Sequence, residues 1–100
     1  MYHCKTNFVY ILTNKNRTVL YIGVTSSLAN RIIKHYQGRW YGFTRKYNCH
    51  YLIYYEVYEY MGDAIKREKQ LKGWRREKKL ALITSKKPQF SFLNDKVQDL

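Results

Sequence analysis

Two tyrosines on neighbouring predicted strands are the first candidates for chemistry. Phe8–Thr13 and Thr18–Val24 are rich in aromatic and β-branched residues, and the run Asn14–Arg17 between them has turn composition. This pattern is typical of a β-hairpin. A four-residue loop places Tyr10 directly opposite Tyr21, with their Cβ atoms ~5 Å apart and their hydroxyls side by side. The alternative is a cross-strand aromatic pair that only packs.

Glu68 is a carboxylate on the apolar side of a predicted helix. The apolar stripe of that helix consists of Met61, Ala64, Ile65 and Leu71, and position 68 falls on it at helical spacing. An unpaired charge directed toward a core costs on the order of several kcal/mol. A structural ion pair with Arg31, a set of hydrogen-bond donors or a divalent metal ion could compensate Glu68.

Arg31 and His35 are four residues apart on another predicted helix and therefore share a face. An arginine offers a planar fork to a phosphate, and a histidine can donate or carry a proton near neutral pH. A polar edge in solvent is the alternative interpretation of the pair.

The elements that position these residues follow the order β-β-α-β-α-α, which predicts an α+β domain with a small three-stranded antiparallel sheet flanked by helices. Ser26 or Ser27 caps the first helix, which stops by Gly38. Tyr51–Val57 forms the third strand. The second helix contains Met61 to Leu71 and is interrupted by Gly73, and the third covers Trp74–Ile83. After Pro88, the apolar residues Phe90, Phe92 and Leu93 are available to fold back onto the core.

Length and composition predict one strongly basic domain over residues 1–100, with a core at about 7–84 and a tail at 85–100. Nineteen Lys and Arg against seven Asp and Glu give a net charge of +12, which favours a polyanionic partner. The apolar run Phe8–Leu12 is too short for a membrane span or a signal sequence. With only two cysteines, Cys4 and Cys49, we expect a reducing cytoplasm.

Two other classes of function explain part of these features. A non-catalytic nucleic-acid binding module would use the basic surface, with exposed tyrosines stacking on bases. It accounts for the charge but not for an inward Glu68. A zinc site from His3, Cys4, Cys49 and His50 is disfavoured because adjacent ligands on a strand point to opposite faces.

The residues described above, in their order along the chain, resemble the GIY-YIG nuclease domain, in its small stand-alone bacterial branch. The resemblance rests on Val9-Tyr10-Ile11, the intact tripeptide Tyr21-Ile22-Gly23, Arg31 with His35, the segment Gly42–Tyr47, and the run Ala64–Trp74 around Glu68. It covers residues 7 to about 84. The first tripeptide departs from Gly-Ile-Tyr, and Lys87 precedes Pro88 where this branch commonly has an asparagine. Asn94 could substitute only if the tail folds differently.

The resemblance implies a site of Tyr10, Tyr21, Arg31, His35 and Glu68 around one divalent cation. Glu68 would hold Mg²⁺ or Mn²⁺, and the metal would polarise a phosphoryl oxygen. Arg31 would contact the non-bridging oxygens, and one tyrosine, helped by nearby cations, would take a proton from water.

The implied function is a divalent-metal-dependent endonuclease that hydrolyses phosphodiester bonds with structure selectivity or low specificity. DNA rather than RNA is the expected substrate, and we expect a monomer without a membrane partner. The residues expected to bind nucleic acid are Arg45, Lys46, Lys66, Lys69, Lys72, Arg75, Arg76, Lys78 and Lys79.

Overall fold

The structure, a computed structural model, describes residues 6–36, 47–86 and 93, without the side chains of 33–36. It confirms the α+β architecture and the order β-β-α-β-α-α. The strands are β1 (Asn7–Thr13), β2 (Leu20–Thr25) and β3 (Tyr51–Tyr58), and the helices are α1 (Leu28–Tyr36), α2 (Met61–Lys72) and α3 (Arg76–Lys86).

Strand β1 is the centre of the sheet. The strand order is β2-β1-β3, and both ladders are antiparallel. Every residue of β1 is buried, so each face of the strand packs into its own cluster. Phe8, Tyr10 and Leu12 pack on the side of α1, with Leu28 and Ile32. Val9 and Ile11 pack on the opposite side with Ala64 of α2, Leu71 of α2 and Ile83 of α3.

The predicted hairpin register was wrong by two residues. In the structure Thr13 pairs with Leu20, Leu12 with Tyr21, and Tyr10 with Gly23. A displacement of two leaves every side chain on its predicted face, because side chains alternate with a period of two. Tyr10 and Tyr21 therefore share a face as diagonal neighbours rather than as a directly opposed pair.

The side chain of Asn14 explains the longer hairpin loop. Its Oδ1 accepts the backbone N–H groups of Thr18, at 2.8 Å, and Val19, at 3.2 Å, and its Nδ2 donates to Thr18 Oγ1 at 2.7 Å. Thr13 Oγ1 also donates to the Val19 carbonyl at 2.7 Å. Because these hydrogen bonds hold Thr18 and Val19 in the loop, β2 begins at Leu20. Composition alone does not show this use of an asparagine.

Helix α1 begins as the sequence predicts, after a small turn of hydroxyl residues. The Ser27 N–H donates to Thr25 Oγ1 at 3.0 Å, and the Ser27 carbonyl accepts the Arg31 N–H at 3.1 Å. The first helical hydrogen bond therefore starts at Ser27, two residues after the buried end of β2. This short link is what brings Arg31 back over the sheet.

Helix α2 buries a narrower stripe than the sequence predicts. Its buried residues are Ala64 and Leu71, whereas Ile65 is 36% exposed. The placement of Ile65 on the inward stripe was therefore wrong, since the helix directs Ala64, the preceding residue, toward the sheet instead. Glu68 lies between Ala64 and Leu71 on the inward side, as predicted, with its side chain 16% exposed.

The C-terminal part follows the predicted outline with shifted boundaries. Gly73 ends α2, its N–H donating to the carbonyls of Lys69 and Gln70, and α3 begins at Arg76 rather than Trp74. Leu93 folds back as expected: it is buried, and its N–H donates to the Leu52 carbonyl at 2.6 Å. Gly38, Phe90 and Phe92 lie outside the described residues. None of the described helices has the length and apolar character needed to cross a membrane.

Candidate active site

Tyr10 occupies the centre of the candidate site. It is 1% exposed, and its ring lies over Gly23, its partner in the β1–β2 ladder. A Cβ atom added to Gly23 would stand 2.5 Å from Tyr10 Cζ, so only glycine leaves room for this ring. The Tyr21 ring is 6.4 Å from the Tyr10 ring between centroids, tilted by 45°. The two tyrosines are thus neighbours, although not in the predicted register.

Arg31 reaches Tyr10 from α1. The two side chains are hydrogen-bonded, the guanidinium donating to the phenol oxygen. Burial raises the pKa of the Tyr10 phenol, and Tyr21 and Glu68 raise it further, while Arg31 lowers it. Burial dominates, so Tyr10 keeps its proton at neutral pH.

Glu68 reaches the same group of residues from α2. Its carboxylate is close enough to Tyr10 to raise the pKa of that phenol. Glu68 Oε2 also lies 3.5 Å from Lys72 Nζ, one helical turn further on. The Lys72 side chain is 52% exposed, and an exposed i,i+4 pair of this kind contributes only a few tenths of a kcal/mol, roughly 0.3–0.5. The fold therefore brings Tyr10, Tyr21, Arg31 and Glu68 together from four different elements.

Several predicted residues fall outside what the structure describes. His35 lies on α1, one turn after Arg31, but its side chain is not among those described. Arg45, Lys46, Lys87 and Asn94 also lie outside the described residues. Their proposed roles stay predictions.

The residues present at the site fit a divalent metal of the magnesium type. In the described part of the chain, no group of three or more His, Cys, Asp or Glu side chains could form a cage around an ion. Mg²⁺ does not need one, because it keeps several waters and commonly takes one or two carboxylates. Glu68 is a carboxylate of this kind, mostly buried and beside a hydrogen-bonded arginine and tyrosine. A zinc site is not supported by Cys49, which is fully buried and whose thiol pKa is raised by burial to about 11.

A cationic surface covers the outside of α2 and α3. Of the predicted nucleic-acid contacts that the structure describes, Lys79 is half-buried and the others are exposed, namely Lys66, Lys69, Lys72, Arg75, Arg76 and Lys78. Two cations cover Trp74 between the helices: Arg67 Cζ lies 5.1 Å and Lys78 Nζ 4.2 Å from its ring centroid. Tyr47 and Tyr60 are 40% and 64% exposed, as base stacking would require.

A second cluster of polar residues was not predicted. Glu56 on β3 accepts hydrogen bonds from the hydroxyls of Tyr54 and Tyr58 and from the guanidinium of Arg67. The sequence did carry a signal for it. Tyr54, Glu56 and Tyr58 alternate along one strand and so share a face, and a carboxylate on the face that α2 covers requires a partner.

A cleft of about 730 Å³ opens beside this second cluster. Its lining includes Tyr58, Glu56, Arg67 and Lys86. Tyr10, Tyr21, Arg31 and Glu68 are not part of that lining. The cleft and the candidate active site are therefore different places in the fold, and α2 contributes Arg67 to the first and Glu68 to the second.

Comparison with known proteins places these observations in a family. The GIY-YIG catalytic domain family matches residues 6–81 of the chain. A UPF0213 protein of Staphylococcus aureus is 36% identical over 78 residues, which are 78% of this chain and 94% of the relative. A UPF0213 protein of Staphylococcus saprophyticus is 35% identical over the same share of each chain.

A solved structure of another UPF0213 protein is also similar to this chain. The solution NMR structure of a UPF0213 protein from Bacillus halodurans aligns with a TM-score of 0.55 and 28% sequence identity, covering 85% of this chain and 89% of that chain. The family match over residues 6–81 spans the positions of Tyr10, Tyr21, Arg31 and Glu68. The chain belongs to the GIY-YIG family and carries its nuclease-type catalytic domain.

Proposed function

We propose that this protein is a divalent-metal-dependent endonuclease that hydrolyses phosphodiester bonds in DNA. One observation carries the proposal: Glu68 acts electrostatically on a buried tyrosine, Tyr10, which is hydrogen-bonded to Arg31. A carboxylate, a cation and a phenol in one place supply a metal ligand, a phosphate contact and a proton-holding group. These are the parts that phosphodiester hydrolysis needs.

Glu68 is the proposed metal ligand. Mg²⁺ or Mn²⁺ held there would supply a positive charge that polarises a phosphoryl oxygen. The weak ion pair with exposed Lys72 leaves the Glu68 carboxylate available for a cation, because the lysine can swing into solvent.

Arg31 is the proposed contact for the non-bridging phosphate oxygens. A guanidinium has five N–H donors, so one hydrogen bond to Tyr10 leaves others for a phosphate. The stabilisation by Arg31 increases as negative charge accumulates in the transition state.

Tyr10 is proposed to position and polarise rather than to act alone as a base. Its raised pKa keeps the phenol protonated at neutral pH. Its deprotonation would require further positive charge, which a metal ion held by Glu68 would supply. Tyr21, less buried and closer to solvent, is the second tyrosine proposed as the base. It would first lose its own proton to His35, the proposed relay, and as the phenolate it would then take a proton from water.

The proposed specificity is for DNA structure, or is low. The exposed cations of α2 and α3 can contact phosphates, and phosphate contacts carry no information about base identity. Arg45 and Lys46 are proposed to extend this surface. The protein is proposed to act as a monomer in the cytoplasm.

The test compares Glu68→Gln with Glu77→Gln, a control that neutralises an exposed acid in the first turn of α3. We expect Glu68→Gln to abolish Mg²⁺-dependent cleavage of a panel of nicked, branched and single-stranded DNA. It should retain DNA binding and melt at the wild-type temperature or above. Glu77→Gln should cut at the wild-type rate.

Three outcomes would contradict the proposal. If Glu68→Gln cuts at the wild-type rate, Glu68 is not the metal ligand. If Glu68→Gln unfolds several degrees earlier, the carboxylate is a structural partner. A wild-type protein that binds DNA but never cuts the panel with Mg²⁺ or Mn²⁺ would instead support the non-catalytic binding module, for which exposed Tyr47 and Tyr60 are the favourable observation.

A further inference from the structure

We propose that Glu56 and Arg67 form a clamp that positions Glu68, the neighbour of Arg67 on α2. In this clamp Arg67 is a positioning residue that touches neither metal nor DNA. The inference rests on the proposed function, since it concerns the geometry of the same metal ligand. It assigns a role to the second polar cluster, which lies outside the candidate active site.

The clamp is built around a carboxylate whose acceptor positions are filled by the protein. Glu56 Oε1 accepts Arg67 Nε–H at 2.9 Å and the Tyr58 hydroxyl at 2.7 Å. Glu56 Oε2 accepts Arg67 Nη2–H at 3.0 Å and the Tyr54 hydroxyl. The side chains of Arg67 and Glu56 are only 21% and 15% exposed. A bidentate, mostly buried pair of this kind fixes direction as well as distance.

Arg67 is also held on its remaining side. Its Nη1 donates to Gln70 Oε1 at 2.7 Å, and its guanidinium lies over the Trp74 ring. All three guanidinium nitrogens therefore have partners within the protein. This distinguishes Arg67 from the exposed cations of α2 and α3, which are available to phosphates.

The apolar contacts of α2 do not by themselves fix the rotation of the helix about its axis. Its buried residues are Ala64 and Leu71, which lie on one side of the helix and of which one has only a methyl group. With the partly buried Met61, which packs on the same cluster, they form one narrow stripe that resists rotation of the helix about its axis only weakly. Residues 67 and 68 are separated by about 100° around that axis. Holding Arg67 on one side therefore sets the direction of Glu68.

The other end of the clamp lies on β3, the strand that pairs with β1. Glu56 pairs with Val9 in the β1–β3 ladder, and Tyr55 pairs with Tyr10 on the next rung. Side chains alternate along a strand, so Glu56 points to the α2 side of the sheet and Tyr10 to the α1 side. The clamp thus fixes the helix that carries Glu68 against the sheet, one rung from Tyr10. Because a displacement of ~1 Å can reduce an enzymatic rate by about 10²-fold, this connection bears directly on the proposed chemistry.

The experiment measures metal binding as well as cleavage in Arg67→Lys, which keeps the charge but loses the bidentate geometry. Free Mn²⁺ is measured by electron paramagnetic resonance in a titration of the protein without DNA. Cleavage is measured against Mn²⁺ concentration, and DNA affinity is measured without metal. The matched control is Arg17→Lys in the hairpin loop.

We expect Arg67→Lys to raise the Mn²⁺ dissociation constant and the Mn²⁺ concentration for half-maximal cleavage by about 10-fold or more, as the loss of groups that orient a metal ligand does. The kcat should fall by a similar factor. Metal-free DNA affinity should change less than twofold, because Arg67 does not reach the phosphates. Arg17→Lys should match the wild type in all three measurements.

Tyr58→Phe serves as a second variant, because it removes one hydrogen bond from Glu56 and leaves the ion pair intact. It should raise the Mn²⁺ dissociation constant by a few-fold, even if Arg67→Lys fails to fold. A folded Arg67→Lys with wild-type Mn²⁺ binding and kcat would overturn the clamp. A loss confined to DNA affinity would overturn it too, since Arg67 would then be a phosphate contact. Either result leaves the proposed function standing if Glu68→Gln is inactive, whereas a wild type that neither binds Mn²⁺ nor cuts rejects the proposed function itself.

Discussion

Tyr10 lies over Gly23, its cross-strand partner, so closely that any Cβ at position 23 would overlap the phenol ring. The tyrosine of the first tripeptide and the glycine of the second therefore form one structural unit. Gly23 is buried, and the space that its missing side chain leaves is the space that Tyr10 fills. This relationship explains why the ring of Tyr10 can be buried and still meet Arg31.

We predict that Gly23→Ala displaces Tyr10 and destabilises the fold. The added Cβ would lie 2.5 Å from Tyr10 Cζ and 3.0 Å from Cε2, so the ring or the strand must move. Overpacking of this kind costs about 1–3 kcal/mol. In a thermal melt, a loss of that size lowers the Tm of a domain of this length by at least ~4 °C.

Gly62→Ala is the control for this variant. Gly62 lies in the first turn of α2, and a Cβ added there meets no atom within 4 Å. Alanine should stabilise the protein by about 0.4–1 kcal/mol, because it restricts the unfolded chain. If Gly23→Ala melts like Gly62→Ala, the close packing of Tyr10 on Gly23 is not a constraint on the fold.

Binding to duplex DNA should weaken steeply with salt. If four to six phosphates are engaged, the slope of log K against log salt is roughly −4 to −5. Lys66→Gln combined with Lys69→Gln should reduce the magnitude of that slope by about 2, because both lysines are exposed on α2. The measurement is a fluorescence titration at several salt concentrations.

Glu77→Gln is the control that separates the loss of phosphate contacts from a general disturbance of the surface. It removes a negative charge from the same pair of helices, so DNA affinity should stay the same or increase slightly. A slope near zero for the wild type would argue against a nucleic-acid partner of any kind.

The second polar cluster, around Glu56, should make the free energy of unfolding depend on pH in the acidic range. Burial alone would raise the pKa of Glu56, but hydrogen bonds from Arg67, Tyr54 and Tyr58 outweigh burial and hold that pKa below its ordinary value. The folded state thus binds the proton less readily than the unfolded state does. The resulting stability is fully present above the unfolded pKa and is lost as pH falls through the lower folded value.

Glu56→Gln tests this dependence by urea unfolding at two pH values. At pH 7 the variant should be less stable than the wild type by about 1.5–3 kcal/mol, the range for hydrogen bonds to charged groups. Near pH 3 the difference should shrink, because this pH lies below ~4.3, the ordinary pKa of a glutamate, and the unfolded wild type then binds a proton that the folded state resists. Glu59→Gln, an exposed neighbour at the end of β3, should show neither effect. A difference that is the same at both pH values would contradict the assignment.

The sequence by itself determined the elements and the direction of most side chains. Because side chains alternate along a strand, the sequence placed Tyr10 and Tyr21 on the same face of the sheet. That placement is correct although the predicted register was wrong, because the error is an even number of residues. The spacing of Glu68 from Ala64 and Leu71 likewise directs it inward, since helical periodicity is a local property of the chain.

The tertiary structure decided which groups meet. The hairpin register depends on hydrogen bonds from the side chain of Asn14 to Thr18 and Val19, and turn composition does not specify them. Ile65 points outward because only a narrow stripe of α2 packs on the sheet. The pairing of Glu56 with Arg67 joins a strand to a helix 11 residues further on. Periodicity orders residues within one element, but contacts between elements depend on how those elements pack, which no local pattern contains.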